Sequence, residues 1–143
     1  MPRIERTAEI VWEGNVARGA GRMTAGSGAF EALPFSLPTR IGKAEGQTSP
    51  EELLAAAHAG CFAMSLAGEL AGAGAPPDRL GVRCTITMDE VEGQGHQIVG
   101  SHVRVEVQAA LAGKALTEAI ERADAGCPFS ALLRRAGADV RIE

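Results

Sequence analysis

Ser49 to Leu66 reads SPEELLAAAHAGCFAMSL, and it opens with the clearest helix start in the chain. Ser49 offers a side-chain oxygen as N-cap. Pro50 stands where its fixed φ suits the first helical turn and its missing N–H is not needed. Glu52 follows three residues after the cap. Small and apolar residues then continue to Gly72-Ala73-Gly74-Ala75-Pro76-Pro77, a run that stops a helix. The spacing predicts one helix from Pro50 to about Ala73. Gly60 inside it costs about 1 kcal/mol relative to alanine, and such a glycine marks a close approach by a neighbour. Ala55-Ala56-Ala57 are equally stripped of bulk. Cys61 follows Gly60 directly.

Upstream, Thr7 to Trp12 alternates as a strand does, and the glycine-rich Gly14 to Gly28 suggests strands joined by tight turns. Phe30 to Arg40 reads as extended, broken by Pro34 and Pro38, and Gly42 to Gln47 as a polar loop. Downstream, Leu80 to Val91 places Val82, Cys84, Ile86 and Met88 on one face. A turn at Gly93 to Gly95 leads into Ile98 to Leu111, with Val103, Val105 and Val107 on one side, so the two runs predict a hairpin. Thr117 to Arg135 is helical, as one helix or two, with an interruption at Gly126-Cys127-Pro128. Ala138 to Ile142 is a last short strand. Strands, a central helix, then strands and helices describe one α+β domain over residues 1–143.

Composition narrows the function. The 143 residues carry a formal net charge of −4, with 45% apolar and 22% charged residues, the balance of an ordinary globular chain. The basic residues form no run, which argues against a nucleic-acid surface and an anionic-membrane surface. Aromatic residues are 3% with no Tyr, too few for a base-stacking platform. MPRIERTAEIVWEG at the N-terminus has no apolar signal-peptide core. The apolar run from Leu53 to Pro76 is interrupted by His58 and Glu69, which suits a buried soluble helix better than a membrane span. Three cysteines, an odd number, make no disulfide framework and fit a reducing, cytoplasmic setting.

The cysteines differ in setting. Cys127 directly precedes Pro128, where a helix would restart, so unpaired N–H groups and the helix dipole would favour its thiolate. Cys84 lies on the inward face of a strand and reads as core, with no partner indicated. His58 shares a helix face with Cys61. A zinc site joining them to His96, His102 or Cys127 would lack any CxxC or HxxxH spacing, and a packed or hydrogen-bonded histidine is the favoured reading. Arg18, Arg22 and Arg40 are candidate counter-ions for a thiolate. Glu51 sits in the first turn of its helix, where a negative charge is favourable.

SPEELLAAAHAGCFAMSL and AGCPFSALL together resemble the two cysteine motifs of the OsmC/Ohr family, which comprises osmotically inducible protein C and the organic hydroperoxide resistance proteins. VWEGNVARGAGRMTAGSGAF and LPTR are similar as well, so the resemblance runs along essentially the whole chain. His58, and Glu-Glu after Pro50, lean towards the OsmC branch. The resemblance implies antiparallel sheets around a long central helix in an intertwined α+β homodimer with active sites at the subunit interface. It implies a cysteine-based peroxidase for organic hydroperoxides, and more weakly for hydrogen peroxide, that needs no cofactor and no metal. Its reductant would be a dithiol, with a lipoyl-type group suggested. Cys61 matches the peroxidatic position, Cys127 the resolving position and Glu51 the catalytic glutamate. Arg40 fits the arginine of the OsmC branch and Arg18 that of the Ohr branch. Ile41 stands where the OsmC branch has an aromatic residue, which bears on the peroxide pocket. The alternative on the same scaffold is a non-enzymatic redox-sensing or small-molecule-binding dimer.

Glu51 and Cys61 are ten residues apart, about 15 Å of rise on a regular helix. Three arrangements satisfy the implied site: an arginine that bridges the distance, a glutamate from the other subunit, or a bent helix. A Cys61–Cys127 disulfide needs Cα atoms within about 7 Å.

Overall fold

The alternation near the N-terminus becomes a three-stranded antiparallel meander, β1 (Ala8–Glu13), β2 (Ala20–Ala25) and β3 (Leu33–Phe35), in that spatial order. The computed structural model describes residues 1–143, which form two units, Met1–Pro50 and Glu51–Glu143. In the first unit Gly21 pairs with both Trp12 and Phe35, whose ring centroids lie 5.6 Å apart. A Cβ on Gly21 would overlap both rings, so glycine is what allows this pair to close over the strand. Pro34 interrupts no interior ladder because β3 is an edge strand.

The first departure from expectation follows β3. Leu37 to Arg40 is not extended. Leu37–Ile41 form a short helix, α1, whose N-cap Ser36 accepts from the Thr39 N–H at 3.3 Å, with Pro38 in the first turn. Pro38 read as a strand breaker, but a proline two residues after a serine cap also starts a helix.

The second unit carries α2 (Pro50–Gly72), β4 (Arg79–Val91), β5 (Gly95–Gln108), α3 (Gly113–Ala125), α4 (Pro128–Arg135) and β6 (Asp139–Ile142). After α2 the chain turns through Gly74 at φ +76°, and the Ala75 N–H returns to the Leu70 carbonyl at 2.9 Å. β4 and β5 pair antiparallel across a turn in which Gly93 and Gly95 both hold positive φ, and a bulge at Thr87/Met88 shifts the register. The predicted hairpin is present, with β5 starting and ending a few residues earlier than expected. The helical segment is two helices. β6 pairs parallel to β5, so this sheet is not wholly antiparallel. The α3–α4 crossover is long enough to return the chain in the same direction, as a parallel pair requires.

The core of this unit is a stripe on α2 facing the sheet and the C-terminal helices. Phe62, Leu66 and Leu70 recur every fourth residue, as one helix face does. They are fully buried with Val103, Ala119, Ala123 and Cys127, and Val82, Cys84, Val105 and Val107 pack against them from β4 and β5. α2 is long and apolar enough to cross a membrane by length and composition, but its stripe is part of this core. Elsewhere α2 is open: Met64 is 74% exposed. A Cβ on Gly60 would meet nothing within 4 Å, so the close neighbour expected at that glycine is not supplied by this chain.

Candidate active site

Cys61 is delivered by the middle of α2, one residue before the core anchor Phe62. Its counterpart comes from the break between α3 and α4. There the Gly126 N–H reaches the Arg122 carbonyl at 2.9 Å and the Cys127 N–H reaches the Asp124 carbonyl at 3.1 Å. α3 therefore closes before Pro128, which has no N–H to extend it. Cys127 is the N-cap of α4, with extended backbone at φ −86° and ψ 111°. Arg134 then donates to both carboxylate oxygens of Asp124, at 3.1 and 2.6 Å, and ties α4 back to the end of α3. The Ser65 hydroxyl donates to the Ala123 carbonyl at 2.8 Å and ties α3 to α2.

This scaffold brings Cys61 against the cluster that contains Cys127. Both thiols are free; Cys127 is buried and Cys61 half-buried. Burial pushes the Cys61 thiol above its ordinary pKa, and the Cys127 thiol raises it further by hydrogen bonding and by charge. The Phe129 backbone N–H, in the first turn of α4, acts in the opposite direction. Cys127 stands at the N-cap of α4, the position expected from Pro128, and the Phe129 amide of the same turn bears on Cys61. An N–H directed at sulfur stabilises the thiolate, and a helix N-terminus adds to that.

Glu51 is half-buried in the first turn of α2. Because α2 is helical without a break from Pro50 to Gly72, the Glu51 carboxylate stays about 15 Å of rise from Cys61 on its own helix. Arg18 lies exposed in the turn after β1, its N–H bonded to the Asn15 side chain at 2.9 Å. Arg40 is exposed in the last turn of α1. Both arginines belong to the first unit.

Both ring nitrogens of His58 are hydrogen-bonded to serines. Nδ1 lies 2.6 Å from Ser101 Oγ on β5, and Nε2 lies 2.8 Å from Ser130 Oγ on α4. The histidine and both serines are buried. Cys84 joins them, with its sulfur 3.2 Å from Ser101 Oγ. Burial pushes the His58 imidazole below its ordinary pKa; Asp124 pulls it back up and Arg134 pushes it further down. Burial raises the Cys84 thiol, and the Ser101 hydrogen bond opposes it. Cys84 was expected to be core without a partner, and Ser101 and Ser130 were not singled out. The available signal was Ser101 two residues before Val103 on the inward face of β5, a small hydroxyl where another valine would fit.

Residues 42–143 match the family model described as OsmC-like protein. The chain belongs to the OsmC family. It is 33% identical over 132 residues to the Peroxiredoxin OsmC of Escherichia coli K12, covering 92% of this chain and 91% of that one. The same values hold for the Peroxiredoxin OsmC of Shigella flexneri, and these identities support the OsmC branch. Among solved structures, the organic hydroperoxide resistance protein OhrB of Bacillus subtilis superposes with a TM-score of 0.74 at 26% identity, covering 96% of each chain. An OsmC protein from Legionella pneumophila gives a TM-score of 0.77 at 19% identity, covering 98% of this chain and 97% of that one. These superpositions agree with the α+β fold expected of an OsmC member.

Proposed function

We propose that this OsmC-family chain is a thiol-dependent peroxidase that reduces organic hydroperoxides, and hydrogen peroxide more weakly. The observation that carries the reading is the packing of Cys61 against the buried cluster that holds Cys127, with the Phe129 N–H acting on Cys61. The names of the relatives, peroxiredoxin and organic hydroperoxide resistance protein, point the same way.

In the proposed cycle the Cys61 thiolate attacks one peroxide oxygen, the O–O bond breaks, and the alkoxide leaves and takes a proton to become alcohol. Cys61 is then a sulfenic acid. Cys127 attacks that sulfur, water leaves, and a Cys61–Cys127 disulfide forms. An external dithiol, with a lipoyl-type group the proposed one, reopens it by exchange and is itself oxidised to a disulfide. Burial raises the Cys61 thiol, so the cycle needs a cation to make thiolate at neutral pH. We assign that role to Arg40, with Arg18 as the alternative, and assign Glu51 to orienting the arginine.

The active form is proposed to be a cytoplasmic homodimer, with residues 1–143 of each copy acting as one OsmC-like domain. Exposed apolar side chains support association: Ile10 and Val11 on β1 are 54% and 58% exposed, and Met64 on α2 is 74% exposed. β1 is exposed along its whole length, and exposed apolar surface of this kind marks an association site.

The test is turnover of cumene hydroperoxide with a dithiol. Sustained turnover that disappears in Cys61→Ser supports the reading, and unchanged turnover in that variant overturns it. The alternative on the same scaffold is a redox-sensing dimer. That protein would oxidise once per chain and then stop under any dithiol.

A further inference from the structure

His58 is the one side chain in the second unit whose hydrogen bonds join α2, β5 and α4 at a single point. It stands three residues before Cys61 on α2. Ser130, at 2.8 Å from its Nε2, stands three residues after Cys127 and one after Phe129. The bond therefore grips the first turn of α4, the turn that carries both groups acting on Cys61. Ser101, at 2.6 Å from Nδ1, anchors the opposite edge of the ring to the sheet, and Cys84 extends that anchor to β4.

Stability alone does not account for this cluster. Buried polar groups with satisfied hydrogen bonds add little over well-packed apolar side chains of the same volume. Hydrogen bonds of this length do fix direction, which apolar packing does not. A neutral imidazole has one N–H and one lone pair. Each serine hydroxyl is able to donate or accept, so both contacts are satisfied with the ring uncharged, and the ring is held at both ends.

Disulfide formation is demanding of position. The resolving sulfur must come in line behind the sulfenic sulfur, and the bond accepts a narrow range of Cα separation. A misplacement of about 1 Å in such a step costs about a hundredfold in rate. The first oxidation needs only Cys61 and the peroxide. We propose that His58 is a positioning residue for the resolving step: through Ser130 it sets the first turn of α4, and with it Cys127, against Cys61. This rests on the proposed roles of Cys61 and Cys127.

The experiment separates the two steps in the full-length chain. One equivalent of cumene hydroperoxide is mixed with reduced protein. The rate of Cys61 oxidation is followed by dimedone trapping of the sulfenic acid, and disulfide formation by mass spectrometry under non-reducing conditions. In Ser130→Ala, which removes one oxygen atom, disulfide formation is expected to slow by about tenfold or more. Dimedone-reactive sulfenic acid accumulates, while the first oxidation stays within about threefold of the parent. His58→Phe, of similar shape without polar atoms, behaves the same way. His58→Gln, which offers Ser130 a polar atom near the position of Nε2, restores disulfide formation towards the parent rate. Parent-like disulfide formation in Ser130→Ala overturns the proposal, and so does an equal loss of both steps. A parent protein in which peroxide leaves Cys61 as the free thiol removes the peroxidase reading itself, and this inference with it.

Discussion

Cys61 and Cys127 lie far apart in sequence, yet Cys61, from the middle of α2, packs against the buried cluster that holds Cys127, the N-cap of α4. In the proposed cycle that placement gives the two cysteine motifs a common chemistry. Cys127→Ser is expected to leave the first reaction with peroxide intact and to stop the cycle there. One molar equivalent of cumene hydroperoxide is then consumed per chain, the sulfenic acid persists, and dithiol-driven turnover falls by about a hundredfold. Peroxide consumption measured in parallel with dimedone labelling checks this. Multiple turnovers in Cys127→Ser with a disulfide-forming dithiol would show that resolution does not need Cys127.

The raised Cys61 thiol makes the pH dependence informative. Burial and Cys127 both favour the protonated form, and the proposed cycle assigns a nearby cation to restore the thiolate at neutral pH. Arg40→Met is expected to move the pH profile of Cys61 alkylation to higher pH. A profile displaced by about one pH unit lowers the neutral-pH rate about tenfold. Arg18→Met is expected to leave the profile in place. Iodoacetamide labelling of Cys61 from pH 6 to 10 reads this directly, and a profile moved by Arg18→Met and not by Arg40→Met would exchange the two roles.

His58 predicts a second pH effect, on stability. Its folded-state pKa is depressed, chiefly by burial. The unfolded chain therefore binds a proton that the folded chain does not, and stability falls as pH drops below about 6.5, the ordinary histidine value. Above that pH the contribution is fully present. Thermal unfolding of the parent and His58→Gln at pH 5 and pH 7.5, at one fixed protomer concentration, is expected to show a smaller acid-side loss of Tm in the variant. An identical loss in both would place the acid sensitivity elsewhere.

How much was legible beforehand follows from the range of each signal. The long helix was written in local chemistry, a cap, a proline and a glycine-proline stop, and α2 ends within a residue of its predicted end. The hairpin was legible because period-two alternation in both strands flanked a glycine turn, and the α3–α4 break because Gly126 and Pro128 bracket Cys127. α1 was missed because the same proline serves an extended segment and a helix start, and only the Ser36 side chain decides between them. The parallel pairing of β6 depends on where a two-helix crossover returns the chain, which no local pattern encodes. The His58–Ser101–Ser130 cluster joins residues 43 and 72 positions away from the histidine. Serine at such positions reads as an ordinary small residue until the elements are packed.

Packing supplies a prediction independent of the chemistry. Phe62 is fully buried at the centre of the α2 stripe. Phe62→Ala is expected to cost about 3–5 kcal/mol, measured by urea unfolding at constant protomer concentration because association would add to apparent stability. A loss under about 1 kcal/mol would mean the stripe is not the core it forms here.

Association has its own test. Sedimentation velocity at micromolar concentration is expected to give a species of twice the 14.8 kDa chain mass. Met64→Glu, at an exposed apolar position on α2, is expected to shift it towards the single chain. A parent protein that sediments as one chain would leave the exposed β1 and α2 surfaces without the proposed partner.

The most direct measurement is the identity of the cysteine pair after oxidation. Reduced protein is treated with one equivalent of cumene hydroperoxide, blocked with iodoacetamide, digested without reductant and mapped by mass spectrometry. The expected product is a Cys61–Cys127 disulfide within one chain, with Cys84 recovered alkylated. Cys61 recovered as the alkylated thiol, or paired with any sulfur other than Cys127, would contradict the proposed cycle.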